Sequence, residues 1–231
     1  MRLFVVTTEK RFEGETEAIH LLFENGLDVL HIRKLFASRN ETKSFIEQIT
    51  PAFHSRIVLH DHYDLAVKFN LKGIHLNNRN DEARKNTGLL HDVRNDEARK
   101  NELKIDLSQM QTADSLSCKR MLSISRSCHS LEDVQSTQFY DYVFLSPIFD
   151  SISKVGYMQS FTPQQLVDAK EQHIINEKVI ALGGITAANI TVARRYGFGG
   201  VAVLGALWSD FVADGDISEL LKRFNTLKLR V

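Results

Sequence analysis

The sequence predicts a single (β/α)8 barrel, and three observations carry that expectation. Short apolar, β-rich runs recur eight times in 231 residues. Most of them alternate with segments whose apolar residues fall at helical spacing. The last two runs, 179–182 and 201–204, each close on glycine, the pattern of strand ends that face a ligand at one barrel mouth. A doubly wound open sheet is the runner-up, but no Gly-x-Gly-x-x-Gly follows the first strand.

Taken in order, residues 2–7 read as a buried strand. Ala18, Ile19, Leu22 and Phe23 lie at helical spacing in 15–25, and Gly26 stops that helix. A second strand at 29–32 runs into His31-Ile32-Arg33-Lys34. A helix at 41–49 follows the cap candidate Asn40, with Pro51 just beyond. Strand three, 57–59, ends in His60-Asp61-His62; a short helix spans 64–69; strand four, 73–76, carries His75. The rhythm then breaks. The octapeptide RNDEARKN occurs twice, at 79–86 and 94–101, which is too few copies for a solenoid. Residues 78–119 are expected to be a charged insertion within the one domain 1–231, with a lid or partner surface as the functional alternative.

The rhythm resumes with strand five at 121–125 and a short helix opened by Ser130. Strand six is 142–145, and a helix begins at Thr162-Pro163, where proline is tolerated. Strand seven, 179–182, leads through Gly183-Gly184 to a helix over 187–196 capped by Thr186 and stopped by Gly197. Strand eight is 201–204, closed by Gly205, and a last helix spans 217–227.

Lys+Arg and Asp+Glu number 29 each, so nothing global asks for nucleic acid or an anionic membrane surface. No run reaches membrane-spanning length and no signal-type segment opens the chain, so a cytoplasmic protein is expected. Cys118 and Cys128 are poor material for a disulfide framework.

The strand ends of such a barrel gather His31, Arg33, His60, Asp61, His75, Ser127, His129 and Ser146. Gly183, Gly184 and Gly205 would form a phosphate cradle from exposed backbone N–H groups, or only tight βα turns. Ser151, Ser153 and Lys154 offer two hydroxyls and an ammonium to phosphate oxygens, or form a polar surface loop. Arg33 would clamp an anion, or else pair with a carboxylate such as Asp61. Asp61 is a one-carboxylate Mg²⁺ ligand that needs substrate oxygens to complete it. His31, His60 and His75 would alternatively make a three-His transition-metal site, although no spacing motif supports one. Cys128 and His129, as strand neighbours, face opposite sides and do not form a thiol–imidazole dyad.

Outside the insertion, the chain resembles thiamine-phosphate synthase and its relative, the thiazole tautomerase. The segments that carry the resemblance are LHIRK, VLHDHYDLA, GIHLNN, SRSCHSLEDV, DYVFLSPIFDSISK, VIALGGIT and GFGGVAVLGAL. It implies a (β/α)8 barrel whose thiazole phosphate sits on Gly183, Gly184, Val203, Leu204 and Gly205. It places the pyrimidine diphosphate on Arg33, Ser151, Ser153 and Lys154, and a magnesium aspartate at Asp61. The family's Gln-x-Arg-x-Lys reads His31-Ile32-Arg33-Lys34-Leu35 here. Its Asn-Asp reads His60-Asp61, its second magnesium carboxylate falls on Asn80, and Ser146 stands where it has glycine. Losing an acidic ligand and a lysine weakens a magnesium-diphosphate site. SRSCHSLEDV, by contrast, matches the tautomerase segment around a catalytic histidine, here His129.

The expectation is therefore a thiamine-biosynthesis enzyme with a small-molecule phosphate substrate and possible self-association. Tautomerase-like proton transfer by His129 is favoured, without a cofactor. The alternative is the condensing synthase, with Ser127 assisting diphosphate departure and Mg²⁺ as cofactor. A non-catalytic phosphate-ligand or protein-binding barrel is the reading from another class.

Overall fold

The computed structural model describes residues 1–76, 122–137, 140–150 and 158–231. The charged insertion, together with Asn80, Cys118, Ser151, Ser153 and Lys154, lies outside the described residues. Eight strands pair in parallel in sequence order and close β8 onto β1. They are β1 Arg2–Val6, β2 Val29–Ile32, β3 Ile57–Leu59, β4 Gly73–Leu76, β5 Ser123–Cys128, β6 Tyr142–Leu145, β7 Val179–Leu182 and β8 Gly200–Val203. The described helices are α1 Glu15–Glu24, α2 Arg39–Glu47, α3 Asp64–Lys68, α4 Leu131–Gln135, α5 Pro163–Glu171, α6 Ile190–Arg195, α7 Gly205–Asp214 and α8 Ile217–Lys228.

Period-two alternation divides each strand between two cores. Leu3, Val5, Leu30, Ile32, Ile57, Leu59, Val201 and Val203 face outward into a large core shared with the helices. Phe4, Val6, Val29, Val58, Tyr142, Phe144, Ile180 and Ala202 fill the barrel interior. Above this plug, toward the mouth, the interior turns polar. His31 lies two residues beyond Val29, and His60 two beyond Val58. Trp208 of α7 is fully buried against β1, and its indole N–H donates to the Val6 carbonyl at 2.9 Å.

Four expectations are corrected. The cap of α2 is Ser38 rather than Asn40: Ser38 and Glu41 form a reciprocal capping box, which starts the helix earlier. β5 runs to Cys128, because its inward residues Ser125 and Ser127 are polar yet keep register with Tyr142 and Phe144 of β6. The helix after β7 begins at Ile190. Thr186 does not cap it; its N–H is held by the Asn189 side chain at 2.8 Å. Finally, ten residues from Gly205 form α7, which a glycine in its first turn hid from propensity reading.

Candidate functional site

Three imidazoles converge where β2, β3 and β4 reach the mouth. His31 and His75 are fully buried and His60 nearly so. His31 Nδ1 lies 2.9 Å from His60 Nε2, and its Nε2 lies 2.8 Å from the Tyr142 hydroxyl. Ser125 Oγ donates to the Ile74 carbonyl at 3.2 Å, so it accepts from His75 Nδ1–H at 2.9 Å. That fixes the His75 tautomer: Nε2 carries the lone pair and accepts from the Ser127 hydroxyl at 2.9 Å. Burial, with Arg33 and Arg126 as lesser causes, lowers the His75 pKa to about 3. Burial also holds His31 well below its usual value and raises the Tyr142 phenol. All three groups are neutral at pH 7.

The rest of the rim is wetter. His129 is exposed at the end of β5, and its Nδ1 lies 3.1 Å from the Ser146 carbonyl oxygen at the end of β6. Its backbone N–H donates to Asp133 at 3.2 Å. Arg33 faces the mouth, but its ion-pair partner is Glu9, at 2.8 Å, not Asp61. Glu9 was not anticipated, although the strand-end rule applied to β1 would have flagged it. Lys34, one residue on, points the other way into a buried pair with Glu15 at 2.5 Å. It cannot stand in for a mouth lysine. Asp61 is exposed, and its Oδ1 accepts from His62 N–H at 2.9 Å.

The glycine loops after β7 and β8 are neighbours. Gly183 and Gly184 have φ of 93° and 63°. A Cβ on Gly184 would meet the Asp150 carbonyl oxygen at 2.2 Å, and one on Gly183 would meet Pro147 at 2.8 Å. These glycines therefore admit the backbone of the β6 loop, whose Ile148 and Phe149 N–H groups donate to Leu182 and Gly183. Asn189 locks the same loop by donating to the Gly184 carbonyl at 2.8 Å. Val203 ends β8, Leu204 is the N-cap of α7, and Gly205 opens that helix, so its first N–H groups lack intrahelical acceptors at the mouth.

The structure thus brings His31, His60, His75 and Ser127 into one hydrogen-bonded group and sets His129 beside Ser146. Asp61 stands apart. Tyr142 and Ser125 join the group unanticipated; the inward polar alternation of 123–127 was the signal for Ser125. Among the described residues no helix is long and apolar enough to cross a membrane.

Comparison with known proteins bears on the family and the fold. The family model described as thiamine monophosphate synthase matches residues 102–207. A solved thiamine phosphate pyrophosphorylase from Bacteroides thetaiotaomicron is 36% identical, covers 100% of this chain and 97% of its own, and superposes with a TM-score of 0.75. A thiamine-phosphate synthase from Lysinibacillus sphaericus is 26% identical over 79% of this chain and 72% of its own length. A pyrophosphorylase from Pyrococcus furiosus, 19% identical with a TM-score of 0.65 and covering 99% of this chain and 94% of its own, shares the fold. The chain is an enzyme of the thiamine-phosphate synthase family.

Proposed function

We propose that this enzyme condenses a hydroxymethylpyrimidine diphosphate with a thiazole phosphate and releases diphosphate. The observation that carries this reading is the full-length, 36% identical relative named as a thiamine phosphate pyrophosphorylase. In the reaction the bond between the pyrimidine methylene carbon and the diphosphate oxygen breaks, and its electron pair leaves with the diphosphate. The thiazole nitrogen lone pair then forms the new carbon–nitrogen bond.

The chain's residues have distinct tasks. The loops at Gly183–Gly184 and Val203–Gly205 hold the thiazole phosphate on backbone N–H groups. Arg33, kept in place by Glu9, and the hydroxyl–lysine segment Ser151, Ser153 and Lys154 hold the diphosphate. Ser127, whose hydroxyl rests on His75 Nε2, swings that hydrogen from the imidazole to the departing oxygen, where the hydrogen bond strengthens as charge develops. Asp61 offers a carboxylate that, with phosphate oxygens and water, is a donor set Mg²⁺ accepts. When bound, that ion neutralises leaving-group charge.

The second reading is a thiazole tautomerase-like proton transfer, and the position of His129 on the rim beside Ser146 favours it. Both readings are tested with purified protein given pyrimidine diphosphate, thiazole phosphate and Mg²⁺, and in parallel with the non-aromatic thiazole tautomer. Diphosphate release is expected, reduced on the order of 10²-fold in Ser127→Ala. Absence of release, alongside aromatisation that resists EDTA and disappears in His129→Ala, would replace the synthase reading with the second.

A further inference from the structure

We propose that His31, His60 and His75 form a binding site for a divalent first-row transition ion of the zinc class, with its open position toward the barrel mouth. The site goes beyond the proposed condensation and does not depend on it.

The geometry comes first. One ring nitrogen from each histidine lies within 4.8 Å of the others, and among the described residues these three are the group of His, Cys, Asp or Glu side chains close enough to share an ion. The ring centroids are 5.1 Å (His31–His60), 5.2 Å (His31–His75) and 4.3 Å (His60–His75) apart. Tetrahedral coordination with metal–nitrogen bonds of about 2.0–2.1 Å places imidazole centroids roughly 5 Å apart. The first two separations meet that value; the third is shorter, between stacked rings, and widens when His60 rotates about its side-chain bonds.

Lone pairs are available where they are needed. Ser125 directs His75 Nε2, as the unprotonated nitrogen, toward the mouth. With the Tyr142 oxygen accepting from His31 Nε2–H at 2.8 Å, His31 Nδ1 is the unprotonated nitrogen and carries the second lone pair, which faces His60 Nε2. Each of these two ligands then has its other N–H held by an oxygen, the outer-shell arrangement that orients metal-bound imidazoles. His60 supplies the third nitrogen once the hydrogen it shares with His31 moves to its other ring nitrogen.

The three residues also explain one another. Two of the chain's departures from the family's strand-end pattern, His31 and His60, fall within hydrogen-bonding distance of each other and beside His75. An all-nitrogen set selects zinc-class ions over Mg²⁺. His60 keeps 6% exposure and Ser127 is half-buried, which leaves the fourth position to a water or phosphate oxygen. Ligation at His75 Nε2 frees the Ser127 hydroxyl from that nitrogen.

The test uses the full chain stripped with a chelator, with no organic substrate present. Titration with Co²⁺ alone should give one equivalent and the visible bands of four-coordinate, nitrogen-ligated cobalt. Zn²⁺ should displace it, and Mg²⁺ at the same concentration should not. His60→Asn should weaken Co²⁺ binding more than about tenfold, as should His75→Asn, whereas Asp61→Asn should not change it. Circular dichroism checks that each variant is folded. His60, at the edge of the cluster, carries the test if His75→Asn does not fold. No stoichiometric binding by folded wild-type protein, or unchanged affinity in His60→Asn, overturns the site. Diphosphate release is read separately, so either result leaves the proposed reaction to its own assay.

Discussion

Gly184 shows how the close approach of a distant backbone segment can require glycine. Its φ of 63° lies in the left-handed region, and a Cβ there would sit 2.2 Å from the Asp150 carbonyl oxygen. Gly215 has a similar φ of 68°, but a Cβ there meets nothing within 4 Å. Gly215→Ala should therefore cost only the conformational term, about 1–2 kcal/mol. Gly184→Ala adds a clash with backbone that cannot rotate away, about 1–3 kcal/mol more. Urea midpoints of the two variants test this, and equal losses would mean that the close approach is not what requires glycine at 184. The Gly-Gly pair was visible in the sequence as a strand-end turn. Its task of admitting another backbone segment was not, because that segment lies in a loop more than thirty residues earlier in the chain.

At the scale of elements, the end of β2 works by period two. Arg33 turns inward to the mouth, while Lys34 turns outward and ties β2 to the first turn of α1 through Glu15. Both partners are almost fully enclosed. Burial raises the Glu15 carboxyl and lowers the Lys34 amine in spite of their mutual attraction. Lys34→Met leaves a buried carboxylate without its cation and should cost about 3–5 kcal/mol, whereas Lys34→Met with Glu15→Leu should recover most of that loss. Chemical denaturation of the single and double variants decides it; a single variant no worse than the double would show that the pair is not desolvated. Strands two, three, four, six and seven were legible to the residue, since their apolar runs are bounded by polar or turn residues. β5 was not, because its inward serines break the apolar pattern and only pairing with β4 and β6 sets its end. α7 was missed because Gly205 reads as a stop, and Ser38 because Asn40 is an equally good cap type in isolation.

For the molecule as a whole, the barrel was legible from eight strands and their glycine ends, but the state of its interior was not. Whether His31, His60 and His75 touch depends on the relative register of three strands, which no local pattern encodes. That interior makes the fold acid-sensitive in a calculable way. His75 titrates at about 3 when folded against an ordinary value of 6.5. The unfolded chain therefore binds the proton that the folded chain refuses, and stability falls as pH drops from 6.5 toward 3. Between pH 7 and pH 4 the single site accounts for about 3 kcal/mol, from about 1.4 kcal/mol per pH unit below 6.5. Above pH 6.5 both states are neutral at this ring and the term is flat. Urea denaturation of chelator-stripped protein across pH 4–8 reads the slope. His75→Asn, which cannot titrate, should be less stable at pH 7 for want of the imidazole's contacts, yet its acid slope should be shallower by about one proton. Parallel slopes in the two proteins would mean that His75 meets protons as freely in the barrel as in the open chain, and that the polar layer above the aromatic plug is wet rather than sealed.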